Sequence, residues 1–361
     1  MPKCNLLKNH MCITVNRSWR PCCRFVGNPS VDINETNFDE YRTGEFYQGI
    51  LKDMEDGWAE GCKKCMLEEQ RGHKSLRLKS NETLSGGPEI EYIELSLSNE
   101  CNLTCKMCCA DYSTTWDKLI RKNEFLKEWH HPVTQLGMSV ESIFADVDLS
   151  KLKKIKYLGG EPFITPQIKD LFEFLDKNGI IGNVNFTCNT NVTVFPNKWK
   201  NYLSKFKEVE VELSIDGVGK VNDYIRHGKK WDVLYNNLLK WVEYRDQSSN
   251  IDVNIFSTIQ AYNLHDIKNL KKLADDNNMQ FHSSLLVVPE YLSVNVLPKE
   301  YLEEIKDDVN LKYYKSIKDD THLIEKFKKY TADMDRATNI SIHDHIPVLR
   351  KVIGKVKDNE T

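Results

Sequence analysis

The sequence predicts an α/β fold, a partial (β/α)6 barrel of TIM type preceded by a small α+β module. Strand-like runs of apolar or alternating residues recur between residues 92 and 288, and amphipathic helical segments separate them. Strands that alternate with helices favour a parallel sheet of βα units, and six units form an open barrel rather than a closed eightfold one. The small module is predicted because six of the 11 cysteines lie before residue 66.

The barrel strands are predicted from apolar runs that end at polar or glycine-containing turns. These runs are Tyr92–Leu97, Ile155–Leu158, Val184–Thr187, Val209–Ile215, Val253–Ile259 and Phe281–Val288. The clearest helices between them are Pro166–Lys177, Trp199–Phe206, Trp231–Tyr244 and Leu264–Asn277. Because the carboxyl ends of parallel strands meet at one edge, we expect the chemistry in the loops that follow the strands.

The N-terminal segment is expected to form its own module. A hairpin is predicted from Met11–Val15 and Arg20–Phe25, and a helix is predicted over Glu45–Glu55. The Ser85-Gly86-Gly87-Pro88 stretch is typical of a linker. The predicted divisions are a module over 1–80, a linker over 81–90, a barrel over 91–297 and a charged helical extension over 298–361.

Composition excludes two broad classes of function. The chain has 361 residues, with 50 Lys and Arg against 53 Asp and Glu, and this balance excludes a broadly basic nucleic-acid-binding surface. No apolar run approaches the roughly 18 residues of a membrane span, and basic residues interrupt the first twenty positions. We therefore expect a cytoplasmic protein with no membrane partner. Disulfides are disfavoured in that compartment, so metal binding is the first explanation to test for the cysteines.

Cys101, Cys105 and Cys108 form a CxxxCxxC pattern directly after the first predicted barrel strand. Three thiolates within eight residues can close around one metal centre, and a four-iron cluster held by three cysteines leaves one iron open to another ligand. Zinc is the alternative, but it normally takes four ligands, so Cys109 or a distant histidine would have to supply the fourth. Adjacent cysteines point apart in most backbone conformations, and we interpret Cys109 as a non-ligand.

This pattern, followed one βα unit later by Gly159-Gly160-Glu161-Pro162, resembles the radical S-adenosylmethionine (SAM) superfamily. The resemblance implies a barrel of radical SAM type whose three cysteines bind a catalytic [4Fe-4S] cluster. It also implies that Gly159, Gly160 and Glu161 bring backbone polar groups to the amino group of bound SAM, an approach that a Cβ would block. Met107 stands before the third cysteine, where the family usually has an aromatic residue.

Two further segments at strand ends resemble family motifs that contact SAM. Thr190-Asn191-Val192 has valine where glycine is usual, and the resemblance makes Asn191 a ribose or methionine contact. Ser214 and Asp216, followed by Arg226, resemble a block whose hydroxyl and guanidinium bind the ribose and the carboxylate of SAM. An ordinary turn with a surface arginine is the alternative interpretation of this block.

The N-terminal cysteines, in the order thiol, hairpin, thiol, helix and CxxC, resemble the twitch module, a short relative of the SPASM auxiliary-cluster domain. The module usually follows the barrel, and here Arg17-Ser18 replaces the usual glycine of its hairpin. The resemblance implies a second [4Fe-4S] cluster, although four thiolates suit zinc equally well. Cys23 would replace Cys22 if the hairpin register shifted. The implied ligands are Cys4, Cys22, Cys62 and Cys65.

The resemblance implies a radical SAM enzyme. An electron from the reduced cluster cleaves SAM to methionine and a 5′-deoxyadenosyl radical, which removes a hydrogen atom from an unidentified peptide or small molecule. Oxidation or modification of a peptide is expected by analogy with other twitch proteins, with the auxiliary cluster transferring electrons. The expected electron donor is a flavodoxin or ferredoxin. The alternative is a zinc-stabilised, non-catalytic binding protein on a degenerate radical SAM barrel.

Overall fold

The computed structural model describes residues 2–27, 31–70, 72–133, 138–304 and 320–354. Within these ranges the chain forms eight strands, in the order β2-β1-β3-β4-β5-β6-β7-β8 along the sheet. The strands are β1 (His10–Ile13), β2 (Trp19–Arg20), β3 (Tyr92–Ser96), β4 (Lys154–Leu158), β5 (Asn185–Thr190), β6 (Glu208–Ser214), β7 (Ile251–Ile259) and β8 (Phe281–Leu285).

The described residues also form sixteen α-helices. In the first half of the chain these are α1 (Leu6–Asn9), α2 (Phe38–Thr43), α3 (Glu45–Asp56), α4 (Lys63–Gln70), α5 (Leu76–Thr83), α6 (Thr114–Lys122), α7 (Val140–Phe144) and α8 (Pro166–Lys177). They are followed by α9 (Lys200–Leu203), α10 (Lys220–Ile225), α11 (Trp231–Asp246), α12 (Ile267–Asp276), α13 (Lys299–Glu304), α14 (Ile324–Thr338), α15 (Ile342–His345) and α16 (Arg350–Ile353). None of these helices is long and apolar enough to cross a membrane.

The predicted α/β fold with a parallel barrel sheet is confirmed, and the separate N-terminal module stays a prediction. All six predicted barrel strands are present as β3 to β8, with bounds that differ from the prediction by at most three residues. Helix α8 has the predicted bounds, and proline at its first position favours helix initiation there. Helix α9 begins one residue later than predicted, after a 3-10 turn over Asn197–Trp199, and ends three residues earlier, at Leu203.

The chain divides into two compact units. Unit 1 comprises residues 1–100, 135–188 and 196–210, and unit 2 comprises residues 101–134, 189–195 and 211–361. These two units do not test the predicted division into module, linker, barrel and extension, which stays a prediction. Residues 305–319 and 355–361 of the predicted extension lie outside the described residues.

In unit 1 the N-terminal hairpin is part of the sheet. Strand β1 pairs antiparallel with β2 and parallel with β3, with His10 opposite Tyr92 and Ile13 opposite Leu95. The predicted hairpin is therefore present, although its second strand is shorter than expected. Strands β3, β4 and β5 continue the sheet in parallel, as alternation with helices requires.

Alternation along β4 shows which face of this sheet meets the core. Ile155 and Tyr157 are fully buried, whereas Lys154 and Lys156 are half-buried on the opposite face. Phe172 of α8 packs on the buried face, with its ring centroid 5.2 Å from that of Phe186. Helix α8 buries one apolar stripe, as a helix covering a sheet should.

Unit 2 contains a large apolar cluster built around aromatic side chains. Tyr330 and Phe327 of α14 are fully buried there, together with Trp116 of α6 and Tyr262, which follows β7. Strands β7 and β8 of this unit pair in parallel. Helix α14 is thus a core element of unit 2.

Candidate functional site

The three cysteines of the CxxxCxxC pattern lie in residues 101–109, here called the cysteine loop, which follow β3 in the chain. Side chains from two helices hold the carbonyl groups of this loop. Trp116 of α6 donates its Nε1–H to the carbonyl of Cys105 at 3.0 Å, and Tyr330 of α14 donates its hydroxyl to the carbonyl of Lys106 at 2.6 Å. Both aromatic side chains are fully buried, so the loop is anchored in the core of unit 2.

Burial governs the ionisation of these thiols. It raises the pKa of Cys105 to about 12, while the positive charge of Arg226 opposes the shift. The pKa of Cys108 is raised well above its ordinary value by burial and by the neighbouring thiols. Thiolates in such surroundings need a nearby cation, and a metal centre supplies that charge. The donor set therefore fits an iron–sulfur cluster chemically.

All eleven cysteines are free thiols in the structure. Among the described residues, however, no three His, Cys, Asp or Glu side chains are arranged around a single metal-ion position. A [4Fe-4S] cluster binds each cysteine through a different iron atom, so neither predicted cysteine set needs the geometry of a single-ion site.

Asn191, the residue after β5, contacts the first cysteine of the pattern. Its Nδ2 lies 3.6 Å from the Sγ of Cys101 and donates to Oδ1 of Asn102 at 2.9 Å. Val192, where the family usually has glycine, is fully buried with a φ of 64°. A β-branched residue in this left-handed region costs on the order of 1–3 kcal/mol. Val192 adopts this left-handed conformation in spite of that cost.

Asp216 and Arg226 form a buried ion pair beyond the end of β6. The Nε of Arg226 lies 2.7 Å from Oδ2 of Asp216, and the two side chains are 10% and 0% exposed. The backbone N–H of Thr258 and the hydroxyl of Ser257 donate to Oδ1 of Asp216 at 2.7 and 3.2 Å. The Nη1 of Arg226 lies 3.9 Å from the Sγ of Cys105. The structure thus brings this predicted pair to a cysteine of the pattern.

The Gly159-Gly160-Glu161 turn follows β4 and is bonded to residues 98–100. Gly160 donates its N–H to the carbonyl of Ser98 at 2.9 Å, and Glu161 donates to that of Glu100 at 2.8 Å. Gly159 has a φ of 116°, and a Cβ there would lie 2.5 Å from the carbonyl oxygen of Ser98. Close approach of a second backbone segment therefore requires these glycines. Their predicted approach to SAM stays a prediction.

Ser214, Cys109 and the remaining cysteine of the barrel, Cys188, occupy distinct environments. Ser214, the last residue of β6, is half-buried. The Sγ of Cys109 lies 3.3 Å from a carboxylate oxygen of Asp111, which fits its interpretation as a non-ligand. Cys188 is fully buried within β5, as expected of an inert core thiol.

The four predicted N-terminal ligands line one pocket of unit 1. Burial raises the pKa of Cys22 and of Cys62 to about 12. Cys12 and Cys23 are not among the residues that line this pocket: Cys12 is buried in β1, and Cys23 is exposed and interacts with Glu94. The remaining lining residues are Leu6, Leu7, Arg24, Phe25, Met54, Trp58, Gly61 and Arg77.

Lys106 is a residue of the cysteine loop that sequence reasoning missed. It is fully buried, with its ammonium 4.5 Å from the ring centroid of Tyr224 and 3.4 Å from the hydroxyl oxygen of Thr338 in α14. Burial lowers its pKa to about 7. Residues 298–361 are predicted as a charged helical extension, and within them Tyr330 and Met334 mark an apolar stripe at helical spacing. This stripe is the feature of the sequence from which a buried helix next to the cysteine loop could have been predicted.

A model of the Radical SAM superfamily matches residues 95–275, half of the chain. The chain belongs to the radical SAM superfamily. The matched range includes the cysteine loop, the Gly159–Glu161 turn and Arg226, and it excludes the four N-terminal cysteines. The match confirms the predicted class, a radical SAM enzyme with SAM and a [4Fe-4S] cluster as cofactors.

The similarity to individual proteins is low. The chain is 26% identical over 229 residues to a GTP 3′,8-cyclase of Clostridium perfringens, covering 62% of this chain and 64% of the cyclase. It is 25% identical over 188 residues to the radical SAM cyclopropyl synthase TigE of Paramaledivibacter caminithermalis, covering 51% and 38%. The solved structure of anSMEcpe with bound AdoMet superposes with a TM-score of 0.41 at 16% identity, covering 70% and 61%. This chain therefore spans less than two thirds of each of these proteins.

Proposed function

We propose that this protein is a two-cluster radical SAM enzyme that oxidises or otherwise modifies a peptide. The observation that carries the proposal is the family match over residues 95–275, because the cysteine loop lies within it. Cys101, Cys105 and Cys108 would hold the catalytic [4Fe-4S] cluster, whose open iron binds SAM. Bound together, these cofactors supply a 5′-deoxyadenosyl radical for hydrogen abstraction.

The residues of the barrel strand ends are proposed to bind and orient SAM. The backbone of Gly159, Gly160 and Glu161 would meet its amino group, and Ser214 would hydrogen-bond its ribose. Asn191 would contact the ribose or the methionine of SAM, and Arg226, paired with Asp216, would bind its carboxylate, as the same family motifs imply.

The second cluster is proposed at the four N-terminal cysteines. Two observations support it: Cys4, Cys22, Cys62 and Cys65 line a single pocket, and the same four residues match the twitch pattern. A cluster ligated by four cysteines has no open iron, so its proposed role is electron transfer. The peptide substrate rests on the resemblance of this module to other twitch proteins, and a flavodoxin or ferredoxin is the proposed reductant.

A small-molecule substrate is the second candidate. It is favoured by the similarity to a GTP 3′,8-cyclase over 229 residues. Adding GTP to the reduced, SAM-loaded enzyme should then increase 5′-deoxyadenosine formation. If GTP has no effect while SAM cleavage proceeds, GTP is excluded as the substrate and the similarity to the cyclase no longer favours a small molecule.

Reconstitution tests the proposal as a whole. Anaerobically loaded protein should hold about eight iron atoms per chain and release 5′-deoxyadenosine when reduced in the presence of SAM. Bound zinc without SAM cleavage would instead support the non-catalytic binding protein.

A triple substitution, Cys101→Ala, Cys105→Ala and Cys108→Ala, separates the two functions more sharply. In the enzyme, it removes about four iron atoms and all SAM cleavage while the fold is retained. In a zinc-stabilised binding protein, it unfolds the chain, because the metal contributes directly to folding. Circular dichroism and metal analysis of the same sample distinguish these results.

A further inference from the structure

Arg77 of α5 lies beside the four N-terminal cysteines and contacts two of the segments that carry them. Its Nη1 donates to the carbonyl of Lys3, the residue before Cys4, at 2.6 Å. Its Nε and Nη2 donate to the two carboxylate oxygens of Glu69 at 2.9 and 2.5 Å. Glu69 belongs to α4, the helix that contains Cys65. The guanidinium therefore links the first predicted ligand to the helix of the CxxC pattern.

Neighbouring side chains hold this link in place. Ser75 is fully buried and donates its hydroxyl to Oε1 of Glu69 at 2.5 Å. Asn81, also in α5, donates to the same carbonyl of Lys3 at 2.7 Å. A bidentate pair between arginine and a carboxylate is defined in geometry as well as strong. Arg77 is therefore held in one position within unit 1.

Arg77 is also a positive charge at the pocket of the four cysteines. Among the described residues that line this pocket, the only charged side chains are those of Arg24 and Arg77. The side chain of Arg24 is 33% exposed and that of Arg77 is 11% exposed, so solvent screens the charge of Arg77 less. Glu69 is paired with Arg77 but does not line the pocket. The guanidinium is thus the member of this pair that borders the cysteines.

The charge of Arg77 acts on the thiols themselves. Burial raises the pKa of Cys4 and of Cys62, and the positive charge of Arg77 opposes the rise at both thiols. Four thiolates carry more negative charge than the core of a [4Fe-4S] cluster carries positive charge, and reduction adds further negative charge. A weakly screened cation beside such a site favours both the thiolate ligands and the reduced cluster.

We propose that Arg77 is a positioning residue for the cluster of the four N-terminal cysteines, here called the four-cysteine cluster. Arg77 ties the segment of Cys4 to the helix of Cys65, and its charge, balanced in part by Glu69, sets the reduction potential of this cluster. The inference rests on the proposed function. Side chains that order metal ligands and charges near a cluster are general means by which proteins tune such centres.

Opposite charge changes at the pair test the effect on the potential. Arg77→Gln leaves Glu69 unbalanced, so the ratio of reduced to oxidised four-cysteine cluster at a fixed applied potential should fall by about threefold or more. Glu69→Gln keeps an oxygen acceptor for Arg77 but removes the negative charge, so the same ratio should rise by about threefold or more. Electron paramagnetic resonance during a redox titration of the SAM-loaded protein measures the ratio. SAM binds only the open iron of the three-cysteine cluster, so the signal that does not respond to SAM reports the four-cysteine cluster.

Two variants separate the positioning role from the charge. Asn81→Ala removes a hydrogen bond to the carbonyl of Lys3 without a change of charge. Iron should then pass from the four-cysteine cluster to a chelator at least about threefold faster, while the ratio stays within about twofold of wild type. Arg77→Lys keeps the charge but cannot bind Lys3 and both oxygens of Glu69 as a planar fork, so the same two results are expected.

Arg245→Gln is the matched control. Arg245 is 13% exposed and donates to Asp246 and to the backbone carbonyl of Asn278 in unit 2, so its replacement should leave the ratio and the rate of iron loss unchanged. Glu69→Gln and Arg77→Lys decide the matter even if Arg77→Gln fails to load a cluster.

An unchanged ratio in the loaded Glu69→Gln protein, or shifts of the same sign at Arg77 and Glu69, overturns the role of the charge. Iron loss from Arg77→Lys at the wild-type rate overturns the positioning role. Failure of the proposed function is a different result, because the wild-type protein itself would then hold zinc or no metal at the four N-terminal cysteines.

Discussion

The carbonyl oxygen of Glu100 occupies the space that a side chain at Gly160 would need. A Cβ added at Gly160 would lie 2.0 Å from that oxygen, closer than non-bonded atoms can approach. Neighbouring backbone hydrogen bonds, from Gly160 to Ser98 and from Glu161 to Glu100, hold the two segments at this distance. The second glycine of the turn is therefore a packing requirement of unit 1 itself.

Gly160→Ala should lower the free energy of unfolding by about 2–4 kcal/mol, because the backbone must shift to accept the methyl group. Gly49→Ala is the matched control. Gly49 is exposed within α3 and a Cβ there meets nothing within 4 Å, so alanine should raise the free energy of unfolding by about 0.5–1 kcal/mol. Urea denaturation measures both values. Equal stability of Gly160→Ala and wild type would contradict this account of the turn.

Adjacent cysteines in the N-terminal hairpin should behave differently. Cys22→Ser should reduce the reconstituted iron content from about eight to about four atoms per chain, because Cys22 lines the four-cysteine pocket. Cys23→Ser should keep about eight, since Cys23 is exposed and faces Glu94. Iron analysis with visible absorption spectra checks both. Equal iron loss in the two variants would reassign the ligand.

Tyr330→Phe should weaken the anchoring of the cysteine loop. The substitution leaves the carbonyl of Lys106 without its 2.6 Å hydrogen bond in a buried site, which should cost about 1–3 kcal/mol of unfolding free energy. Cluster iron should also be lost faster to a chelator. Tyr47→Phe is the control, since Tyr47 donates similarly to the carbonyl of Leu7 at 2.9 Å in unit 1. If both variants lose iron from the three-cysteine cluster at the same rate, the hydrogen bond from Tyr330 has no particular role in holding the cysteine loop.

His130 should make stability depend on pH in a defined window. Burial, assisted by the charge of His131, lowers the pKa of His130 from its ordinary 6.5 to about 4. Between these values the unfolded chain binds a proton that the folded chain does not, so stability is complete above about 6.5 and falls as the pH is lowered toward 4. The slope contributed by one such group is at most about 1.4 kcal/mol per pH unit.

His130→Gln should remove this contribution, so the stability of wild type relative to the variant should fall as the pH decreases from 6.5 to about 4. Denaturation curves at several pH values measure the difference. The same substitution at His131, which is largely exposed, is the control and should change the slope far less. A constant difference between wild type and His130→Gln across the window would contradict the assignment.

At two positions where the family motifs usually have glycine, the sequence pattern alone did not predict the backbone conformation. Arg17 and Val192 stand where the twitch hairpin and the third-strand motif usually have glycine, and both adopt positive φ, 60° and 64°. From the sequence, these substitutions weakened the resemblance. Both positions adopt the left-handed conformation that favours glycine, and at Val192 a hydrogen bond from Nδ2 of Asn237 to its carbonyl helps hold that conformation.

The sequence by itself determined the six barrel strands, the order of the motifs along them and the family, because hydrophobic periodicity and short motifs are local properties of the chain. Tertiary structure alone decided that β1 pairs in parallel with β3, that Arg226 reaches Cys105 across 121 residues, and that Tyr330 holds Lys106 across 224. Such contacts depend on the path of the whole chain. A hydrogen bond between residues so far apart leaves no periodic or spacing signal in either segment.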